Sequence, residues 1–87
     1  MLAKKDKNFI VDNGRCRPSD VVNLFPEEEV IYISETADML DVLIIAGIYK
    51  NRAEAFLKWK HAVYIPYGFT TYRKIEEENH MLSIYNP

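Results

Sequence analysis

Cys16 is the only cysteine among 87 residues, so the chain can form neither an intramolecular disulfide nor a cysteine-rich zinc site, and a reducing compartment is the simpler setting. Long apolar runs are missing too. The longest, Val42 to Ile48, falls far short of the roughly 20 residues of a membrane helix. Lys4, Lys5 and Lys7 make the start basic, but Phe9-Ile10-Val11 follows instead of the about 7 to 15 apolar residues of a secretory signal. These absences lead us to expect a soluble, cytoplasmic protein with no membrane partner. Surplus positive charge is also lacking: the net charge is −2 and the pI about 5.6. A protein that coats nucleic acid nonspecifically would be basic, so any nucleic-acid site here must be a local patch. His61 and His80 have no carboxylate or cysteine at ligand spacing, and no serine or cysteine nearby forms a triad motif. The expectation is a protein without catalytic activity, metal or cofactor.

What is present is enough to fold. The chain is 48% hydrophobic and 13% aromatic, with six tyrosines, and 87 residues have room for one domain with a thin but workable core. Met1 to Lys7 has the composition of a disordered arm. Asn8 to Asp12 carries a short apolar run ending at the turn dipeptide Asn13-Gly14, which predicts a strand or extended arm. Ser19 or Asp20 can cap a single helical turn that Pro26 ends. Val30 to Ile33 is β-branched and aromatic, bounded by Ser34, and reads as a strand.

Helix signals dominate the middle. Ser34 or Thr36 can cap a helix starting near Ala37, and Gly47 supplies a left-handed stop. Its apolar residues from Met39 to Ala46 nearly encircle it, so it should lie within the core. A second helix, roughly Arg52 to His61, has Ala53, Phe56, Leu57 and Lys60 at three- and four-residue spacing, which predicts one apolar side with a lysine at its border. Trp59 falls outside that stripe, with a place in the core the expected role for an aromatic. Val63 to Ile65, Phe69 to Arg73 and Met81 to Tyr85 are three strand candidates, separated by turns at Pro66-Tyr67-Gly68 and Glu76 to Asn79. The fold class is therefore α+β: two central helices packed on a short antiparallel sheet with an N-terminal strand.

The junction Gly47 to Ala55 carries the clearest functional signal. Asn51 can cap the second helix while Glu54 reaches back, leaving first-turn N–H groups beside Lys50 and Arg52. Two accounts of Arg52 remain open at this stage: local pairing with an acidic neighbour, or contact with phosphate. Asp41, Leu43 or Ile44, Gly47, Lys50 to Ala55, Val63, Ile65 and Gly68 occur in the order found in the alpha-L RNA-binding domain family, which the run from Asp38 to Gly68 resembles. The resemblance implies a noncatalytic module for structured RNA in which Lys50, Asn51, Arg52, Lys60 and Arg73 meet the nucleic acid. The family's glycine after the second helix is replaced by Lys60-His61-Ala62. On β alternation, Phe69 and Arg73 share a face suited to base stacking, while core packing is the plainer use of the aromatics. The alternative is a protein-interaction module or inhibitor that meets a partner protein through acidic and aromatic surface. Glu27 to Glu29 and Glu76 to Glu78 supply the acidic runs, for which solvated turns are the plainer role.

Overall fold

A computed structural model describes residues 7–73 and 81–87. The elements in chain order are β1 (Lys7–Asp12), α1 (Pro18–Leu24), β2 (Ile31–Ser34), α2 (Met39–Ile45), α3 (Arg52–Lys58), β3 (Gly68–Arg73) and β4 (Met81–Asn86). The class is α+β, as the sequence predicts. The four strands form one sheet in the order β2-β1-β4-β3.

The sheet corrects the expected antiparallel arrangement. β1 runs parallel to β2, with Phe9 opposite Ile31 and Val11 opposite Ile33, and parallel to β4, with Phe9 opposite Ile84. Only β3 and β4 are antiparallel, with Thr70 opposite Ile84. Central position explains why Phe9, Ile10 and Val11 are all buried: a strand covered on both faces reads as a continuous apolar run. β4 behaves likewise through Leu82, Ser83 and Ile84. Lys7, assigned to the arm on composition, is the first residue of β1. The turn expected at Glu76 to Asn79 lies outside the described residues.

Backbone contacts divide the chain into two compact units. One comprises residues 1–35 and 66–87 and contains the whole sheet with α1; the other, residues 36–65, contains α2 and α3. In the first, α1 starts differently from the expectation. Arg17 is its N-cap, Pro18 takes the first helical position where a missing N–H costs nothing, and the Asp20 carboxylate accepts from the Arg17 N–H at 3.1 Å. Phe25, just beyond the helix, is buried and meets the Phe69 ring at 5.8 Å. Glu27 turns the chain with φ of 59°, and the Asn8 amide donates to the Glu28 carboxylate and the Glu29 carbonyl, so part of the first acidic run serves to tie a turn.

In the helical unit, α2 is capped by Asp38, not by Ser34 or Thr36. It ends as the sequence indicates. Gly47 has φ of +79°, its N–H donates to the Ile44 carbonyl, and the Ile48 N–H reaches the Leu43 carbonyl, both at 3.0 Å, closing a Schellman motif. Met39, Leu40, Val42 and Leu43 are buried, while Ile45 is half exposed, so the helix is covered on fewer sides than its composition suggests. α3 ends at Lys58, three residues before the expected His61. No strand forms at Val63 to Ile65; there the Val63 carbonyl accepts from the Met39 N–H at 2.7 Å. Among the described residues no helix is long and apolar enough to cross a membrane.

Candidate functional site

The helical unit turns the face of α3 outward that the three- and four-residue spacing had marked for burial. Ala53 is exposed, Phe56 is 67% exposed and Leu57 74%. The buried side is made by Ala55 and Trp59, themselves four residues apart and therefore on one side of the helix. Trp59 caps the C-terminus. Its backbone N–H donates to the Ala55 carbonyl at 2.8 Å, its indole Nε1 to the Ala62 carbonyl at 3.0 Å, and its ring meets the edge of His61 at 4.9 Å. An indole with its one donor satisfied can be buried at little polar cost.

At the other end of α3 the capping expectation is met with one change. The Asn51 carbonyl oxygen accepts from the Glu54 N–H at 2.9 Å, but the Glu54 carboxylate reaches back one residue further than expected, to the Lys50 N–H at 3.1 Å. Arg52 takes the local account. Its guanidinium lies across two carboxylates at the start of α2: Nη2 donates to Asp38 Oδ2 at 2.9 Å, and Nη1 to Asp38 Oδ1 at 3.2 Å and to Asp41 Oδ1 at 2.7 Å. The two aspartates are themselves locked together, since the Asp41 N–H donates to Asp38 Oδ1 at 3.0 Å and the Asp38 N–H to Asp41 Oδ2 at 3.1 Å. The hydrogen bond from Arg52 is the largest cause holding the Asp38 carboxyl below its ordinary range, and the same bond raises the guanidinium above its own.

The electrostatic result is the reverse of a phosphate cradle. One cation meets two anions, so the cluster is net negative, and a guanidinium whose fork is filled by carboxylates has little left for a phosphate. Of the other residues expected to meet nucleic acid, Lys50 is exposed immediately before the cap, and Asn51 spends its side-chain oxygen within the cap. Lys60 lies beyond the end of α3, so a helical rotation does not place it on the face of Arg52. Arg73 is the exposed last residue of β3, in the sheet unit. Phe69 is 47% exposed on the same strand, consistent with the alternation that pairs it with Arg73, but its ring also contacts Phe25.

Cys16 is partly covered; burial first, then Asp20 and Asp12, push its thiol upward, which disfavours the nucleophilic thiolate. Among the described residues no group of three or more His, Cys, Asp or Glu could hold a metal ion. What sequence reasoning missed is the exposed apolar face of α3. The competing Ala55–Trp59 spacing was its only available signal. Comparison of the chain with protein-family models, with characterised proteins and with solved structures gives no match.

Proposed function

We propose that this chain is a noncatalytic protein-interaction module that binds a partner protein through α3. The carrying observation is the exposure of Phe56 and Leu57, adjacent large apolar side chains left in water by a helix that buries its other side. Clustered exposed apolar residues rimmed by polar ones are the usual mark of a protein contact. Lys58 on the same helix and Lys60 just beyond it are exposed and supply that rim. The complementary partner is a protein segment with apolar residues at its centre and carboxylates at its margin. This modifies the acidic surface expected from composition: the cations stand beside the apolar patch, while Asp38 and Asp41 are engaged by Arg52.

The test is copurification of the tagged chain from its native source with and without nuclease, using Leu57→Asp and Lys50→Ala/Lys60→Ala variants. A stoichiometric protein that survives nuclease, persists in the lysine variant and disappears with Leu57→Asp is expected. Recovery of RNA that depends on Lys50 and Lys60 and is indifferent to Leu57 would instead establish the alpha-L-like reading and overturn this one.

A further inference from the structure

Three parallel strands, β2, β1 and β4, end at the same edge of the sheet, and a cleft of about 150 Å³ opens there. Each lining residue belongs to that edge: Val11 near the end of β1, Asn13 and Arg15 in the loop after it, Glu35 directly after β2, Asn86 at the end of β4, and Tyr67 directly before β3. The carboxyl ends of parallel strands are where open sheets containing such strands most often place ligands, because loops leaving adjacent strands there diverge and leave a crevice. All six residues lie in the sheet unit.

The cleft has a fixed frame and two free charges. Asn13 supplies much of the frame: its amide nitrogen donates to Asn86 Oδ1 at 3.3 Å and to the Pro87 carbonyl at 2.8 Å, and its oxygen accepts from the Arg15 N–H at 3.1 Å. That ties the loop carrying Arg15 to the end of β4. Asn86 is buried, whereas the Arg15 and Glu35 residues are exposed. Among the described residues neither Arg15 nor Glu35 makes an ion pair, although both line this one small space. Two residues of opposite charge that line one cleft without pairing to each other suit a ligand that carries both opposite charges.

Size narrows the class. At about 150 Å³, the cleft is well below the about 300 Å³ at which drug-sized or nucleotide-sized sites begin. A polyphosphate would also meet the Glu35 carboxylate. A single carboxylate is too few oxygens for a calcium site. The geometry points to a binding site for a small zwitterion, a free α-amino acid: Arg15 takes the carboxylate with its two-pronged fork, Glu35 takes the ammonium, and the Tyr67 ring, 78% exposed, offers a wall for the side chain.

The experiment is a titration of the full-length, ¹⁵N-labelled chain, read by NMR, with glycine, L-serine, L-asparagine and L-leucine, each compared with its N-acetyl and carboxamide forms. At least one amino acid is expected to shift the amides of Asn13, Arg15, Glu35 and Asn86 saturably, with a Kd on the order of 1 mM or tighter. Both blocked forms should bind at least about tenfold more weakly, as should Arg15→Ala and Glu35→Gln, with the remaining spectrum unchanged to report an intact fold. Absence of saturable shifts with all four at about 10 mM would overturn the proposal. So would equal binding of the N-acetyl form, which would make the cleft a site for anions alone. The outcome is independent of whether α3 binds a protein, because Phe56 and Leu57 take no part in the cleft.

Discussion

Truncating Leu57 should barely disturb the protein, whereas truncating Leu43, fourteen positions earlier, should come close to unfolding the helical unit. Leu43 is fully buried and Leu57 is 74% exposed, although both lie on helices of the same unit and both change to alanine without loss of helix propensity. With only a quarter of its side chain withdrawn from water, Leu57→Ala should cost about 0.4 to 0.8 kcal/mol, taking about 1.5 to 3 kcal/mol for complete burial of a leucine. Leu43→Ala adds a cavity to the lost transfer energy and should cost about 2.7 to 5 kcal/mol. In a chain of this size each kcal/mol moves the midpoint of thermal unfolding by roughly 4 to 8 °C, so the two variants should separate by about 10 °C or more. Urea unfolding monitored by Trp59 fluorescence is the natural assay, because the single tryptophan sits in the same unit as both leucines. If Leu57→Ala cost more than about 2 kcal/mol, the stripe Ala53, Phe56, Leu57 would be a core face and the outward orientation of α3 would be wrong.

Three further outcomes follow from single contacts. Asp38 has its carboxyl held below the ordinary value of 3.8, chiefly by Arg52, so its contribution to stability is complete above that value and is lost as pH falls through the lower folded one. Asp38→Asn keeps an oxygen for the cap and removes the charge. The stability gap between wild type and variant should therefore be full at neutral pH and close on acidification below about 4, and a gap unchanged by acid would refute the pairing. Gly47→Ala meets no atom within 4 Å, so its cost is the left-handed backbone alone, about 1 to 2 kcal/mol in urea unfolding; an unchanged midpoint would contradict the Schellman geometry. Cys16, raised by burial and by Asp20 and Asp12, should react with iodoacetamide at pH 8 more slowly in the native protein than in urea, and equal rates would disprove that shielding.

Many local features of the fold were legible, although the caps of α1 and α2 and the absence of a strand at Val63 to Ile65 were not, and the non-local features were hidden. Gly47 marked the end of α2, Asn51 the start of α3, and the runs Asn8–Asp12, Val30–Ile33, Phe69–Arg73 and Met81–Tyr85 the positions of the strands, because caps, turns and β-branched runs act over a few residues. Strand direction was hidden. Phe9-Ile10-Val11 is as apolar as a central strand requires, but its parallel partner Ile84 lies 75 positions away and nothing within either run encodes the pairing. The orientation of α3 was ambiguous in a different sense. Two apolar spacings compete on one helix; counting side chains favours Phe56 and Leu57, whereas the side that is buried carries Ala55 and the hydrogen-bonded indole of Trp59. Arg52 finds its carboxylates 14 and 11 positions back, across the turn, so the contact that fills its fork is invisible to helical spacing. The cleft residues, drawn from positions 11 to 15, 35, 67 and 86, share no local pattern at all.

The hydrogen bond from the Met39 N–H to the Val63 carbonyl bears on the order in which the chain can fold. The sheet must join β2 to β3 across the 33 residues from Glu35 to Tyr67. Once α2 and α3 have formed and that bond has drawn their ends together, the unconstrained part shrinks to the four residues at each side, 35–38 and 64–67. A fourfold shorter loop lowers the closure entropy by about 1.2 kcal/mol, which is close to a tenfold increase in the probability of bringing β3 within reach of its place. The helical excursion thus acts as a clasp: once closed, it shortens the tether between β2 and the β3–β4 pair, whose β4 must reach β1.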